Sequence, residues 1–425
     1  MIPTTTQHDV DIASLLSDIR TKGTNFLSDS VSSPEELRTA LLHSAQHLVT
    51  ALQSPYEVIA RMNWLEPTRW AITRVGLDLR LFEAMMEHEG GPKTVERLAE
   101  VTACDGVLLS RMLKHLNAAG FVHETGVDEY AANGITAALA TRIPAGMTKN
   151  CFDLLTTVLH SLPTFLSQTK YANPSKETHT PFNHALNTQL TYWSWLSEPG
   201  RHAEQEAYQA HMAFKTLGKK WFEADDIASS LLPSLLSSSS LSPCTSTESE
   251  GVRDPVFLVD IGGSTGHDLV SLLSSHPTLP SHGRLILQDL PSTLSSIPPS
   301  TLPTTITLLP HDFFTPQPLS CYGARIFYLH SILHDWPDAL AAKILANIVP
   351  AMRRGWSKIL LNEIVVQDKG AGWVETSVDV MMMVAHGARE RTEQEWRGLI
   401  EGVGLRVCRV WGRGERERVV ECELA

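Results

Sequence analysis

The sequence predicts an α/β protein in which a doubly wound sheet domain follows a helical N-terminal half. Three observations lead to this prediction. From residue 256 onward, short β-branched runs alternate with helical segments, which is the order of a sheet covered by helices on both faces. Before residue 150, apolar residues recur mainly at helical spacing. The length of 425 residues is more than one ordinary domain needs.

Composition excludes several classes of protein. The chain is 43% hydrophobic and carries a formal net charge of −12, which disfavours proteins whose main role is to hold nucleic acid or an anionic membrane. The first residues lack the pattern of a secretory signal, and no run of about 18 apolar residues occurs. The six cysteines form no C-x-x-C pair, so a reducing compartment is expected. We predict a cytoplasmic protein without a membrane span.

The first predicted domain covers residues 1–150. Amphipathic helices are expected between 10 and 50, and residues 75–142 have a winged helix-turn-helix pattern, with a helix that Gly120 ends and two short strands after it. Residues 70–145 hold seven Lys or Arg against ten Asp or Glu. This acidity disfavours both DNA contact and the interpretation of the chain as a winged-helix regulator.

Three further segments complete the predicted organisation. Residues 151–228 are helical and rich in aromatics, and residues 229–254 form a serine-rich linker or insertion, with ten serines between 229 and 250. Residues 255–425 form the α/β domain. Its predicted strands are 256–260, 284–288, 306–309, 325–329 and 357–366, and its predicted helices are 265–275, 338–353 and 392–401.

A glycine-rich turn follows the first of these strands. It reads Asp260-Ile261-Gly262-Gly263-Ser264-Thr265-Gly266, and glycines at this place let the backbone approach a ligand closely. Asp289 ends the next strand, where a carboxylate accepts both hydroxyls of a ribose. A purely structural turn is the alternative. The spacing is not that of dinucleotide binders, and the nearby acids Asp260 and Asp268 suit a cation such as the sulfonium of S-adenosylmethionine better than a pyrophosphate.

Six motifs in order carry a resemblance to a known family. They are Val259–Gly263, Leu287–Pro291, His311–Phe314, His330–Asp338, Asn362–Glu363 and Arg389–Thr392. With them, the chain resembles the plant and fungal S-adenosylmethionine-dependent O-methyltransferases of the caffeic-acid type over about residues 70–415. The resemblance implies a Rossmann-like methyltransferase domain, an N-terminal winged-helix dimerisation domain, a homodimer and an aromatic small-molecule acceptor.

The resemblance also implies roles for single residues. The backbone of Gly262 and Gly263 approaches the methionine portion of the cofactor, and Asp289 binds the ribose. His330 replaces the Lys or Arg that the family usually places near the cofactor, and Ser264 replaces a common third glycine. The residues expected at the adenine are Asp312, Phe313 and Trp336.

The expected chemistry needs alignment of oxygen, methyl and sulfur, together with removal of a proton from the acceptor. A neutral imidazole is a suitable base, and His334 follows a strand at the carboxyl edge of the sheet. In the resembled family this histidine is the base, oriented by two glutamates that match Glu363 and Glu390. Alternatively, these glutamates pair with the nearby Arg389 or Arg391.

Three questions stay open in the sequence. Trp193, Trp195 and Met381–Met383 either line an acceptor pocket or belong to the core. A metal held by His330 and His334 is disfavoured, because the H-E-x-x-H pattern is missing, so no metal is predicted. A relative that holds S-adenosylmethionine but catalyses cyclisation or rearrangement remains the alternative to methyl transfer.

Overall fold

The computed structural model of the chain describes six stretches, and its contacts divide the chain into two compact units, Met1–Thr141 and Arg142–Ala425. The predicted boundaries at 150 and 228 therefore fall inside the second unit. Among the described residues, no helix is long and apolar enough to cross a membrane. The described stretches are 12–28, 34–215, 220–236, 255–298, 301–412 and 415–425.

The first unit combines eight helices with a three-stranded antiparallel sheet in the order β1-β3-β2, counted over the described residues. The helix predicted to end before Gly120 is confirmed as α7. The elements are α1 (Ile12–Phe26), α2 (Pro34–Leu52), α3 (Pro55–Ala60), α4 (Glu66–Asp78), α5 (Leu81–Met86), β1 (Lys93–Thr94), α6 (Val95–Thr102), α7 (Gly106–Ala118), β2 (His123–Gly126), β3 (Glu129–Ala131) and α8 (Gly134–Leu139).

Local sequence explains where these helices begin. Ser54 and Glu57 form a capping box before α3, and the side chains of Thr94 and Asp105 accept hydrogen bonds from the first turns of α6 and α7. The apolar faces of α6 and α7 bury Leu98, Leu109, Leu113 and Leu116. The capping residues thus mark where these helices begin, and the buried leucines mark the face of each helix that packs into the core.

The second unit opens with helices. They are α9 (Arg142–Asn150), α10 (Thr156–Gln168), α11 (Pro181–Leu186), α12 (Tyr192–Leu196), α13 (His202–Lys215) and α14 (Leu232–Leu236). Residues 229–236 of the predicted serine-rich segment are helical, and Leu231, Leu232 and Leu235 are buried against the sheet domain. The remaining residues 237–254 of that segment lie outside the described residues.

Over the described residues the sheet has eight strands, and five of them confirm the strands expected from sequence. Its order is β10-β11-β8-β7-β4-β5-β6, with β9 paired to β8. The strands are β4 (Val256–Ile261), β5 (Arg284–Asp289), β6 (Ile306–Pro310), β7 (Ile326–His330), β8 (Lys358–Val366), β9 (Arg391–Thr392), β10 (Leu405–Trp411) and β11 (Glu417–Leu424).

The helices around this sheet include three that confirm the predicted ones, with ends that differ by a few residues. They are α15 (His267–Ser275), α16 (Pro291–Ser295), α17 (Asp338–Ile348), α18 (Trp373–His386) and α19 (Glu393–Glu401). The predicted helix over 338–353 ends earlier, at Ile348, ahead of Pro350.

The sheet of the α/β domain is mixed rather than all-parallel. Strands β4 to β8 are parallel, but β11 runs antiparallel to β8 and β10 antiparallel to β11, so the sheet is mixed. Both of these last strands escaped the sequence interpretation. The central strands β4, β7 and β8 are buried on both faces, and the motif residues lie at the carboxyl ends of the parallel strands.

Candidate active site

The glycine turn after β4 is packed too closely for side chains. Gly262 has φ +72°, and a Cβ there would stand 2.7 Å from Ile332. A Cβ on Gly263 would stand 2.4 Å from the carboxylate of Asp260. Gly262 is therefore favoured by its conformation, and both glycines are favoured by the lack of space for a side chain inside the turn.

The residues predicted for ribose and adenine lie beside this turn. The carboxylate of Asp289 accepts the amide of Ser264 at 2.9 Å, which ties β5 to the glycine turn. Asp312 caps its own loop by accepting the amide of Phe314 at 2.9 Å. Phe313 lies against Gly262, and its ring centroid is 6.0 Å from that of Trp336.

His330 is held on both sides by carboxylates. Its Nδ1 lies 2.6 Å from Asp268, and its Nε2 lies 3.1 Å from Glu417 on β11. Tyr328 also donates to Asp268, at 3.0 Å. Burial alone would lower the pKa of His330, but the two carboxylates outweigh it and raise the pKa to about 10. The side chain in the place of the usual Lys or Arg is therefore an imidazolium.

His334 lies in a 3₁₀ turn, Leu333–Asp335, and is almost fully buried. Its Nδ1 lies 2.7 Å from the carboxylate of Glu390, which is buried as well. A carboxylate only accepts, so Nδ1 carries the proton in this pair and Nε2 is the basic nitrogen of the neutral ring. Nε2 lies 3.5 Å from Asp335.

Glu363 forms hydrogen bonds with the backbone at the start of the same turn. Its carboxylate accepts the backbone amides of Ile332 at 3.1 Å and Leu333 at 2.8 Å. Burial raises the pKa of this carboxyl to about 7, and the nearby His334 and the amide of Leu333 partly offset the rise. The two glutamates thus differ in role, since Glu390 contacts the imidazole and Glu363 holds the backbone before it.

An aromatic cluster packs on the helical side of this turn. Tyr192, Trp193 and Tyr208 contact one another, and Trp193 and Tyr192 also contact the ring of His386 at the end of α18. The Nε2 of His386 is 3.9 Å from Asp335. Of the residues left open as pocket or core, Trp193 belongs to this cluster, while Trp195 is buried against Phe182.

Comparisons with known proteins agree with this geometry. Residues 234–406 match the model of an O-methyltransferase domain. The O-methyltransferase lepI of Aspergillus flavus is 35% identical over 87% of this chain and 89% of its own length. Demethylsterigmatocystin 6-O-methyltransferase of Aspergillus parasiticus is 31% identical over 85% of this chain and 86% of its own. The chain belongs to the O-methyltransferase family.

Solved structures extend the likeness to almost the whole chain. LepI in complex with S-adenosylmethionine is 30% identical and superposes with a TM-score of 0.82 over 97% of this chain and 99% of that one. A structure described as a pericyclic reaction enzyme has the same identity, TM-score and coverage. The structure of OxaC, 24% identical with a TM-score of 0.77, shows the shared fold.

The cofactor of the O-methyltransferase family is S-adenosylmethionine, and the glycine edge fits it. The buried Oδ2 of Asp260 has no hydrogen-bond partner among the described residues, and burial raises the pKa of this carboxyl well above its usual range. An orphaned carboxylate oxygen beside a cradle of glycines suits a ligand that brings its own positive charge. Asp268, by contrast, already binds the cation of His330.

Several site residues of this family member escaped the sequence interpretation. Glu417 belongs to β11, a strand that the sequence analysis does not predict. His386 and Tyr208 gave no sequence signal, because only packing brings them near Asp335. Arg389 and Arg391 were considered as partners of the glutamates, yet both bind Asp338.

Proposed function

We propose that the chain transfers the methyl group of S-adenosylmethionine to a hydroxyl of a phenolic or polyketide-like small molecule, with His334 as general base. The observation that carries this proposal is the 2.7 Å contact between His334 Nδ1 and buried Glu390. It fixes the tautomer and ring orientation, and it stabilises the imidazolium that forms when Nε2 takes the acceptor's proton. When bound, the cofactor supplies an electrophilic methyl group on a sulfonium.

The surroundings of His334 support a base that changes charge during the reaction. Glu390 adjoins the ring, and Glu363 fixes the preceding amides, so two carboxylates stabilise added positive charge at this turn. Burial excludes water from the pair, which strengthens both interactions. The aromatic rings of Tyr192, Trp193 and Tyr208 supply an apolar wall that suits a planar acceptor.

The proposed cofactor contacts follow from the arrangement at the strand ends. Gly262 and Gly263 let the backbone approach the methionine portion, and Asp289 receives the ribose hydroxyls. Asp312, Phe313 and Trp336 surround the adenine. His330 acts on the cofactor site indirectly. Its two ring nitrogens bind Asp268 and Glu417, and the bond to Asp268 fixes the first turn of α15 beside the glycine turn.

The first unit is proposed to be a winged-helix dimerisation unit. Helices α6 and α7 followed by the β2–β3 hairpin have the order of that motif. Tyr56, Ile59, Met62 and Trp64 are each more than half exposed on one continuous helical stretch. A second copy of the chain would bury such exposed apolar side chains. Sedimentation of the full chain at micromolar concentration tests this, and a stable monomer would contradict it.

The proposed reaction is tested by following the methyl group. The full chain is incubated with S-adenosylmethionine labelled in its methyl carbon and with a panel of phenols and phenolic polyketides. Mass spectrometry is expected to show one labelled methyl group on an acceptor. The His334→Ala variant serves as the control, and it should bind S-adenosylhomocysteine normally while labelling little or no acceptor.

One specific observation favours a second candidate function. The structure described as a pericyclic reaction enzyme shares the fold of this chain at a TM-score of 0.82. A chain of that kind would hold S-adenosylmethionine and rearrange a substrate without using the methyl group. In the same assay, an acceptor that changes retention time at constant mass, with all label left in the cofactor, would select this candidate.

A further inference from the structure

Arg391 is a fully buried arginine next to Glu390. It lies on β9, which pairs with the end of β8, and its guanidinium stacks over the ring of Trp396 at 4.9 Å. A buried guanidinium is costly unless its donors are paired, so its partners reveal what it holds.

The described hydrogen bonds of its guanidinium all go to the segment 333–338. Nη1 donates to the carbonyl of Leu333 at 3.0 Å, and Nη2 donates to the carbonyl of Trp336 at 3.0 Å. Nε and Nη2 both bind one oxygen of Asp338, at 2.9 and 2.8 Å. One rigid, planar guanidinium therefore binds this short segment at Leu333, at Trp336 and at Asp338.

That segment carries both His334 and Trp336. The carbonyl of Leu333 precedes His334 directly, and the carbonyl of Trp336 belongs to the residue proposed to cover the adenine. Glu390 and Arg391 are consecutive, so one dipeptide contacts the imidazole of His334 and the backbone on either side of it.

We propose that Arg391 is a positioning residue that sets the placement of His334 and of Trp336 together, through the two carbonyls it binds. The proposal rests on the proposed function for the role of His334 as a base. The hydrogen bonds from Arg391 to the backbone do not depend on that role. Lysine in this position would keep the charge yet lose the fork that reaches two carbonyls and a carboxylate at once.

The chain offers a matched control. Arg389 binds the other oxygen of Asp338 at 2.8 Å and also Glu395, but its side chain is 40% exposed and binds no carbonyl of the segment in any described contact. Arg389→Met removes a cation from the same carboxylate and leaves the grip on the backbone intact. Asp338 keeps Arg389 when Arg391 is replaced, so the Arg391 variants do not strand a carboxylate.

The first test is hydrogen exchange of the cofactor-free full chain, read by mass spectrometry on peptides that cover 332–338. Arg391→Lys and Arg391→Met should each speed exchange there by about tenfold or more, because charged hydrogen bonds to the backbone are lost. Arg389→Met should leave it unchanged. Exchange at the wild-type rate in both Arg391 variants, or a uniform increase over the whole second unit, would overturn the proposal.

The second test is calorimetry with S-adenosylhomocysteine. Arg391→Lys should weaken binding by about tenfold through the displaced Trp336, whereas Arg389→Met should not. Full rescue by lysine would show that only charge matters and would overturn the positional role. Neither measurement depends on methyl transfer. The proposed function would be contradicted by a different result, namely the absence of a labelled acceptor in the labelled-methyl assay.

Discussion

Two histidines four residues apart, His330 and His334, end up in different chemical environments. His330 ends β7 and lies between the carboxylates of Asp268 and Glu417, each bound to one ring nitrogen. His334 lies in the following turn, where Glu390 binds Nδ1 and Nε2 faces Asp335 at 3.5 Å. Both ring nitrogens of His330 thus lie within hydrogen-bond distance of a carboxylate, whereas Nε2 of His334 lies 3.5 Å from the carboxylate of Asp335.

The difference teaches that the distance of the carboxylates from the ring nitrogens decides what a histidine does. Two carboxylates in contact, one on each nitrogen, raise the pKa of His330 to about 10, so its proton stays bound at neutral pH. Such a ring stabilises a structure but is a poor base. We therefore expect the two positions to respond to substitution in different measurements, turnover for His334 and stability for His330.

The largest expected effect is on turnover. His334→Ala should lower kcat by about 10²–10⁴ with little change in cofactor affinity, because the base acts only on the acceptor's proton. His330→Ala should lower kcat much less once measured on folded enzyme. Steady-state kinetics with the acceptor found by methyl labelling, combined with calorimetry, checks both. Equal losses of kcat in the two variants would break the comparison.

The next effect concerns the cofactor edge. Asp289→Ala should weaken S-adenosylmethionine binding by about a hundredfold, since two charge-assisted hydrogen bonds to the ribose would be lost. Isothermal calorimetry measures the change directly. His334→Ala is the control, and an unchanged affinity in Asp289→Ala would contradict the assignment of the ribose.

A smaller effect is expected on the free energy of unfolding. His330→Gln should cost about 2 kcal/mol at pH 6, because buried Asp268 loses its counter-charge. His330 has a folded pKa near 10 against an unfolded value of 6.5, so its contribution is fully present below pH 6.5 and is lost as pH rises through 10. In urea unfolding, the difference in free energy of unfolding between the variant and the wild type should be smaller at pH 10 than at pH 6.

The smallest effect is a shift in the pH dependence of turnover. Glu363→Gln keeps an oxygen for the amides of Ile332 and Leu333 but removes a carboxylate that favours the imidazolium of His334. The pH of half-maximal kcat should move downward, by less than about one unit, because burial raises the pKa of Glu363 to about 7 and it is only partly ionised there. An upward shift would show that Glu363 does not act on His334 through charge.

Much of the fold followed from local pattern. Continuous apolar runs marked the buried parallel strands, and the glycine turn marked the edge where Gly262, Asp289 and Phe313 meet. The strand at 405–411 is harder to find, because only its end residues, Leu405 and Trp411, are buried and no continuous apolar run marks it. Glu417, the second partner of His330, was missed with the neighbouring strand β11.

The sequence by itself determined the family, the cofactor and the order of the motifs, because spacing within a strand, turn and helix is a local property. Only the tertiary structure decided which charges meet. It pairs His330 with Asp268 and Glu417, which are 62 and 87 residues away along the chain. It also pairs Arg391 with Asp338 and two backbone carbonyls and, among the described contacts, not with the neighbouring Glu390. Electrostatic partners are set by distance in space and by burial, and neither is encoded in the spacing of neighbouring residues.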